Sequence, residues 1–251
     1  MDDIKNWISE SEAEEVYSSK FWNDVEQEKQ KAWWILDGKS DACLEHLRST
    51  KLLDEFFKAE EVLLGTQKKM VVADLAAGIG WSSALLSKLD GVEHVHAVEI
   101  SRHRLGPLFE ECVKLFAGNE EKISRYLGSF YDLKFESESI DVIFAVQAFH
   151  HADRPLDLLA ECSRVVKSDG LIILLGEPPV TYKKIVRRFL SSLIKNRQLI
   201  FSYRKLFPPD EKTGDHYYRY SDYQSMFQRC GFQLRYVLVD SGTNIWVASK
   251  R

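Results

Sequence analysis

Residues 71–80 read VVADLAAGIG, and this stretch decides the fold of the chain. A run of apolar residues ends in a turn of small residues, and a helical pattern begins directly after it, at 81–89. Small residues in such a turn let the backbone approach a ligand closely, and the following helix presents free N–H groups and the positive end of its dipole. The stretch therefore predicts a buried strand whose carboxyl end faces a ligand.

A second acidic residue lies where a ligand of that strand would need one. Glu99 follows the next β-rich run, 94–98, and comes 25 residues after Asp74. An acidic side chain at this place can accept both hydrogen bonds from a ribose diol, and ligands of open α/β sheets bind outside the carboxyl ends of the strands. The turn alone also fits a tight bend without a ligand, because Ser83 replaces the third glycine of the GxGxxG pattern. The turn and the two acids together favour a ligand that carries a ribose.

The rest of the chain alternates between β-rich runs and helical stretches. From Met70 onward the β-rich runs are 71–75, 94–98, 139–145 and 171–175. The helical stretches between them are 81–89, 101–117 and 153–167, the last with Asp153 as N-cap and Pro155 in its first turn. Near the end, a helix at about 221–230 precedes two alternating runs that form a hairpin, 233–239 and 244–249. The pattern predicts a mostly parallel sheet with helices on both faces, closed by an antiparallel hairpin.

Composition and charge are those of a globular protein. Hydrophobic residues make up 45% of the chain and charged residues 29%, and a net charge of −4 argues against a general binder of polyanions. The first residues do not fit a secretory leader, and the longest strongly apolar stretch, 171–175, is too short to cross a bilayer. The four cysteines form no CxxC pair, so we expect reduced thiols, a cytoplasmic protein and no bound metal.

Five blocks, in order and at fitting spacing, resemble one known family. They are a hydrophobic-x-D-x-x-x-G-x-G motif at 72–80, an acid at Glu99, and the stretches 128–135, 141–155 and 161–171. The chain is identified on these blocks as a member of the class I S-adenosylmethionine-dependent methyltransferases, of the type 11 group. The resemblance covers about 70–251 and is thinnest near 180–210. It implies a Rossmann-like, mostly parallel seven-stranded sheet with a C-terminal antiparallel hairpin.

The resemblance also implies two regions. Residues 1–65, which look helical and end at Gly65, correspond to an N-terminal helical lid that expels water from the cofactor. Their aromatic side chains can equally pack the helices onto the sheet or form a dimer contact; they include Tyr17, Phe21, Trp22, Trp33 and Trp34. Residues 66–251 correspond to the cofactor-binding methyltransferase domain, with a helical insertion at about 181–220.

S-adenosyl-L-methionine is the cofactor that the resemblance implies. Asp74 and the backbone of Ala76, Gly78 and Gly80 would hold its methionine portion, and Glu99 its ribose. The remaining cofactor-binding residues, at the adenine and along the cofactor, would be Ile100, Ser129, Phe130, Val146 and Tyr17. Two positions depart from the family pattern. Ala76 replaces the first glycine of the turn, which requires a negative φ at this residue, and Ser129 replaces the usual adenine-region aspartate.

Four side chains are candidates for chemistry on the methyl acceptor. His150 and His151 follow the fourth strand, at the mouth where acceptors bind in this fold, and a histidine takes a proton near neutral pH. Glu177 follows the fifth strand, and His216 opens the tyrosine-rich stretch 216–220. Each also has an ordinary structural interpretation: hydrogen bonding for the histidines, a strand exit before Pro178 and Pro179 for Glu177, and packing for the tyrosines.

The insertion carries a concentrated positive charge. Between 183 and 205 there are eight basic residues and no acid, so the rest of the chain carries −12; they are Lys183, Lys184, Arg187, Arg188, Lys195, Arg197, Arg204 and Lys205. Apolar residues recur at helical spacing within it. The segment fits a solvated helix face, a clamp for an anionic acceptor through Lys183, Lys184, Arg187 and Arg188, or a contact with a membrane surface.

The most consistent function is in-line SN2 transfer of a methyl group to an oxygen or nitrogen of a small polar acceptor, such as a sugar or a phosphorylated metabolite. An RNA-modifying methyltransferase would need a broad basic face, so nucleic acid is not an expected partner. A nicotinamide oxidoreductase would have the third glycine and no terminal hairpin. A non-catalytic partner that binds the cofactor stays open as an alternative, and so does the choice between a monomer and a homodimer.

Overall fold

The computed structural model describes residues 3–9, 11–12, 40–66, 68–196, 199–210 and 214–251. Within these residues, eight strands form one mixed sheet: β1 Lys5–Asn6, β2 Met70–Leu75, β3 Val92–Glu99, β4 Ile123–Leu127, β5 Ile140–Val146, β6 Val166–Leu175, β7 Phe232–Leu238 and β8 Asn244–Lys250. Their order across the sheet is β1-β4-β3-β2-β5-β6-β8-β7. The first six strands pair in parallel, whereas β8 is antiparallel to both β6 and β7. The predicted fold class is confirmed, with the short strand β1 as an addition.

Helices connect the strands and close the N-terminal region. They are α1 Ser40–Ser49, α2 Leu52–Leu64, α3 Trp81–Ser87, α4 Phe109–Leu115, α5 Pro155–Val165, α6 Tyr182–Asn196, α7 Tyr203–Leu206 and α8 Tyr220–Arg229. Pro155 is the first residue of α5, where a missing N–H costs nothing. The predicted N-cap, Asp153, is wrong: Arg154 occupies that position. The Asp153 carboxylate instead accepts a hydrogen bond from the Tyr131 hydroxyl at 2.5 Å.

Both faces of the sheet are buried. Val142 and Phe144 of β5 belong to one hydrophobic cluster, whereas Ile143 and Ala145 belong to a second. Successive side chains of a strand point to opposite faces, so each cluster fills the space between one face and the helices on it. This double burial explains why the central strands are almost uniformly apolar.

The N-terminal region is not helical throughout. Lys5 and Asn6 form β1, which pairs with Tyr126 and Leu127 of β4. Trp7 follows, and its ring lies 4.6 Å from that of Tyr126. The aromatic contact and the free hydrogen-bonding edge of β4 favour an extended segment here, so the helical prediction is wrong for these residues. Further along, α2 ends at Leu64 and Gly65 follows it, as predicted. Tyr17, Phe21, Trp22, Trp33 and Trp34 lie outside the described residues.

The order of the strands indicates where on the sheet a ligand would bind. From β2 the chain moves to β3 and β4 on one side, then crosses to β5 and β6 on the other. Neighbouring connections that leave a parallel sheet in opposite directions open a crevice at the carboxyl ends of the strands, and ligands bind there. Here that crevice lies between the ends of β2 and β5, which are paired at Leu75 and Ala145.

Candidate active site

The turn after β2 is built from left-handed residues. Ala76 has φ +52°, Gly78 +57° and Gly80 +85°. The expectation that Ala76 keeps a negative φ is therefore wrong, because the chain reverses so sharply between β2 and α3 that this residue must take the left-handed conformation. A Cβ on Gly80 would lie 2.5 Å from the ring of Phe109, whereas a Cβ on Gly78 would meet nothing closer than 3.9 Å. Gly80 thus packs against the core, and Gly78 borders open space.

The strain at Ala76 predicts a stabilising substitution. The left-handed conformation costs alanine about 1–2 kcal/mol, and the extra freedom of glycine in the unfolded chain costs about 0.5–1 kcal/mol. We therefore expect Ala76→Gly to raise the free energy of unfolding by roughly 0.5–1 kcal/mol in urea denaturation. Ala77→Gly is the control, since Ala77 is buried and lacks a positive φ, and it should lose stability. If both variants lost the same free energy of unfolding, Ala76 would not be strained.

Asp74 is a buried acid with one oxygen left open. Its Oδ2 accepts hydrogen bonds from the hydroxyls of Ser82 at 2.7 Å and Ser83 at 2.6 Å. Its Oδ1 is buried and accepts no hydrogen bond from the described residues. Burial raises the pKa of Asp74 to about 6; the two serine hydrogen bonds oppose the rise and nearby Glu99 adds to it. A cation placed at Oδ1 would satisfy this carboxylate, which suits the positively charged methionine portion of S-adenosylmethionine.

Glu99 lies beside the same turn, on the neighbouring strand. Its Oε2 accepts a hydrogen bond from the Gly78 N–H and its Oε1 one from the Ser101 N–H, both at 2.8 Å. The side chain is almost fully buried and fixed by these two bonds. Each carboxylate oxygen has a second lone pair, so it can still accept a hydrogen bond from a ribose hydroxyl. The parallel pairing of β2 with β3 brings Asp74 and Glu99 to one edge of the sheet.

The predicted adenine-side residues lie along the same edge. Ile100, Ser129 and Phe130 are all half-buried. The Ser129 hydroxyl oxygen accepts a hydrogen bond from the Tyr131 N–H at 3.2 Å, and Phe130 packs against the second hydrophobic cluster. Val146 ends β5 and is half-buried, whereas Tyr17 lies outside the described residues.

Glu177 is a buried acid beside the residues that follow β5. Only 1% of this side chain is exposed, and its carboxylate accepts hydrogen bonds from the Phe149 N–H at 2.8 Å and the Tyr223 hydroxyl at 3.0 Å. Both of its oxygens also lie 3.0 Å from Nδ1 of His150. The indole N–H of Trp246 donates to its backbone carbonyl at 2.9 Å. These contacts hold the Glu177 side chain in place, and its carboxylate can act on a ligand only through His150.

His150 carries the arrangement of an oriented base. With Nδ1 donating to Glu177, the lone pair lies on Nε2, 3.8 Å from Oδ1 of Asp215. The ring is 21% exposed, so a molecule at the sheet edge can reach it. Burial lowers the pKa of His150, but the hydrogen bond and charge of Glu177, followed by the charge of Asp215, outweigh burial and raise it. A base that is held in one tautomer by a buried carboxylate is a recurrent catalytic device.

The other two histidines gather around the same place. Nδ1 of His151 lies 3.3 Å from Oδ1 of Asp215, and burial together with His150 lowers the pKa of His151 to about 4. The backbone N–H of His216 donates to the carbonyl of His150 at 2.7 Å, and its ring stacks on Tyr218. The structure thus joins the three predicted histidines. It adds Asp215, for which the only sequence signal is its position next to His216.

The basic insertion forms two helices, α6 and α7. The Arg188 guanidinium lies 4.6 Å from the centroid of the Phe207 ring, and the Lys184 ammonium lies 5.5 Å from that of Tyr217. These two cations rest on aromatic rings. All four predicted anion-binding residues, Lys183, Lys184, Arg187 and Arg188, are exposed.

Residues 73–174 match the family model of a methyltransferase domain, Methyltransf_11. The matched segment runs from β2 to β6 and includes Asp74 and Glu99, so this part of the chain resembles a methyltransferase domain. The structure of the chain resembles that of a SAM-dependent methyltransferase from Aquifex aeolicus, with a TM-score of 0.53, 20% sequence identity, and coverage of 80% of this chain and 95% of that one. At this level of identity the likeness shows a shared fold.

Two curated relatives each match less than half of this chain. A sarcosine/dimethylglycine N-methyltransferase from Aphanothece halophytica is 31% identical over 103 residues, which is 39% of this chain and 35% of that protein. A sterol 24-C-methyltransferase from Gibberella zeae is 27% identical over 108 residues, 43% of this chain and 28% of that protein. The chain spans about a third of the length of these relatives. One is named for a nitrogen acceptor and the other for a carbon acceptor, so the relatives do not define an acceptor for the methyltransferase domain.

Proposed function

We propose that the protein transfers a methyl group from S-adenosylmethionine to an oxygen or nitrogen of a small polar acceptor. The observation that carries this proposal is the Glu177–His150 pair at the sheet edge that also holds Asp74 and Glu99. When bound, the cofactor supplies a methyl group that is already activated on a sulfonium. The protein must then align the acceptor and exclude water.

In this proposal the residues of β2 and β3 hold the cofactor. The open Oδ1 of Asp74 would pair with its positively charged methionine end. Glu99 would accept hydrogen bonds from the ribose hydroxyls, and Ile100, Ser129 and Phe130 would border the adenine. Support for these roles comes from the buried, open oxygen of Asp74 and the fixed carboxylate of Glu99.

His150 is proposed as the base on the acceptor side. Its Nε2 takes the proton of an acceptor hydroxyl or ammonium as the oxygen or nitrogen becomes the nucleophile. Glu177 is a positioning residue, which holds the tautomer of His150 and stabilises the imidazolium after proton transfer. His151 and His216 flank the acceptor. A base of this kind favours acceptors that lose a proton, such as the hydroxyl of a sugar or of a phosphorylated metabolite.

The N-terminal region is proposed as a lid. A carboxylate oxygen of Glu55, on α2, accepts a hydrogen bond from the Gly176 N–H at 2.6 Å, directly after β6. On the same helix, Phe56 lies against Trp81 and Phe144. Helix α2 thus contacts the carboxyl edge of the sheet, which is where a lid over the cofactor would be anchored. In this division the methyltransferase domain spans 66–251.

The cofactor assignment is tested at Glu99. We expect Glu99→Ala to weaken the binding of S-adenosylmethionine and S-adenosylhomocysteine by about 10–100-fold in calorimetry, because hydrogen bonds to a charged group are lost. Glu93→Ala is the matched control, an exposed glutamate on the same strand, and should bind normally. Unchanged affinity in Glu99→Ala, or tighter binding of NAD than of S-adenosylmethionine by the natural chain, would refute the assignment.

A further inference from the structure

Helix α6 carries one broad apolar face that is only partly buried. Ile185 and Phe189 pack against a small cluster formed by Val180, Leu206 and Phe207. A second, outward set is exposed: Tyr182, Val186, Leu190, Leu193 and Ile194. At 3.6 residues per turn, the outward set adjoins Ile185 and Phe189 around the helix. One edge of the apolar face thus completes the core, and the other edge is exposed.

The outward set continues beyond the helix. Leu199 and Phe201, in the segment that follows α6, are 62% and 82% exposed, and Ile194 is 75% exposed. We name these seven residues, Tyr182 to Phe201, the exposed apolar stripe. In the described part of the chain, eleven large hydrophobic residues are exposed, and seven of them belong to the stripe. Isolated exposed hydrophobic residues are ordinary, but a contiguous group marks an interaction surface.

The charge around the exposed apolar stripe is uniformly positive. Lys183 and Arg187 lie beside it on α6, and Arg204 and Lys205 follow on α7; all four are exposed. The sequence from 178 to 209 contains no acid, although the chain as a whole is negative. Apolar side chains flanked by lysine and arginine are the pattern of helices that lie in the interface of a bilayer with anionic lipids.

We infer that α6, together with residues 199–201, forms a docking surface for an anionic phospholipid bilayer. The stripe enters the boundary between headgroups and acyl chains, and the flanking cations contact lipid phosphates. In the described part of the chain, no helix has the length and apolar character needed to cross a membrane. A nucleic acid would match the cations but leave the stripe in water. The inference does not depend on the proposed function.

Docking would orient the methyltransferase domain. The insertion starts next to Glu177, and the N–H of Val180 donates to the carbonyl of Tyr218 at 2.8 Å. Arg188 and Lys184 rest on rings of the same region, Phe207 and Tyr217. The exposed apolar stripe is therefore joined to the segment that carries His216, and only the placement of the acceptor site near a docked bilayer rests on the proposed function.

The test is co-sedimentation of the full chain with vesicles. We expect binding to equimolar phosphatidylcholine and phosphatidylglycerol, little binding to phosphatidylcholine alone, and weakening by salt. Leu190→Glu and Ile194→Glu should each lower partitioning about tenfold or more, since they place a charge in the apolar contact. Arg187→Glu should lower it about fivefold or more. Leu238→Glu, at an exposed residue outside the stripe, is the control and should bind as the natural chain does.

Three results would overturn the inference. One is the absence of binding to either kind of vesicle. Another is loss of binding in Arg187→Glu but not in Ile194→Glu, which would mean that the stripe does not enter the bilayer. The third is a dimer in sedimentation analysis that Ile194→Glu dissociates, which would assign the stripe to a second copy of the chain. Circular dichroism of each variant distinguishes a lost surface from a lost fold.

Discussion

Replacing Asp74 with asparagine is expected to stabilise the cofactor-free protein at neutral pH while it weakens cofactor binding. Burial raises the pKa of this carboxyl to about 6, from an ordinary value near 4. Between these values the folded protein holds a proton that the unfolded chain has lost, so stability falls as the pH rises through this window. Above pH 6 the ionised carboxylate costs up to about 3 kcal/mol, and the neutral amide removes that cost.

Urea unfolding from pH 4 to pH 8, without cofactor, measures this effect. The difference in unfolding free energy between Asp74→Asn and the natural chain should be small at pH 4 and reach up to about 3 kcal/mol in favour of the variant at pH 7. Asp90→Asn, at an exposed aspartate, should follow the natural chain throughout. A variant that is less stable than the natural chain at pH 7 would show that the carboxylate is stabilised in the free protein.

The same substitution reports on the ligand. If the positively charged end of the cofactor pairs with Asp74, its binding favours the ionised carboxylate, so affinity should increase as the pH rises through 6. In Asp74→Asn this pH dependence should vanish, and affinity at pH 7 should fall by about tenfold or more. Such opposite changes in stability and binding are typical of groups that are kept for function. Calorimetry at pH 5 and pH 8 is sufficient for the comparison.

The closeness of Asp74 and Glu99 at the carboxyl edge of the sheet could be predicted from the sequence. It depends only on local chemistry and on one topological rule. Residues 71–80 specify a strand and a tight turn by themselves, and parallel strands end at a common edge. Asp74 and Glu99 had to be close once both strands were assigned. The left-handed φ of Ala76 could not be predicted, because alanine ordinarily avoids it and only the packed turn imposes it.

Strand β4 could not be recognised from the sequence because it contains buried polar residues. All five residues of β4, Ile123–Leu127, are buried, but Ser124 and Arg125 interrupt the apolar pattern that marks a buried strand. The Arg125 guanidinium donates to the carbonyl of Leu105 at 3.0 Å and pairs with Glu110 at 2.8 Å. These partners come from the preceding connection, so no pattern within 123–127 reveals that the arginine can be buried.

The surroundings of Glu177 and the neighbouring histidines were even harder to predict, because their contacts come from residues far apart in the sequence. The sequence placed Glu177 next to a strand end but left open whether it meets the acceptor. Its hydrogen-bond partners are Phe149 and His150, from the connection after β5, and Tyr223, 46 residues further along the chain on α8. Asp215, which approaches both His150 and His151, carried no signal of its own. Burial and pairing of this kind arise only when the chain is folded.

Replacing His150 with alanine is expected to lower kcat by about 10²–10⁴-fold and to leave cofactor affinity unchanged, since the residue acts on the acceptor alone. The measurement is the release of S-adenosylhomocysteine with small hydroxyl and amino acceptors, including sugars and phosphorylated metabolites. His94→Ala is the control, because His94 lies near the start of β3, away from the carboxyl edge of the sheet. Cofactor binding with no turnover on any acceptor in the natural chain would favour a non-catalytic partner.

The pH profile separates a base from a structural histidine. A base must be neutral, so kcat/KM should rise with pH across the raised pKa of His150. Burial by itself lowers that pKa, and Glu177 is the main group that raises it. In Glu177→Gln the charge is gone while the shape is kept, so the rising limb should move to lower pH even as kcat falls, because the amide no longer holds the tautomer. If the Glu177–His150 pair is only structural, Glu177→Gln should lower kcat without moving the rising limb of the pH profile. A rising limb that moves to higher pH would mean that another residue is the base.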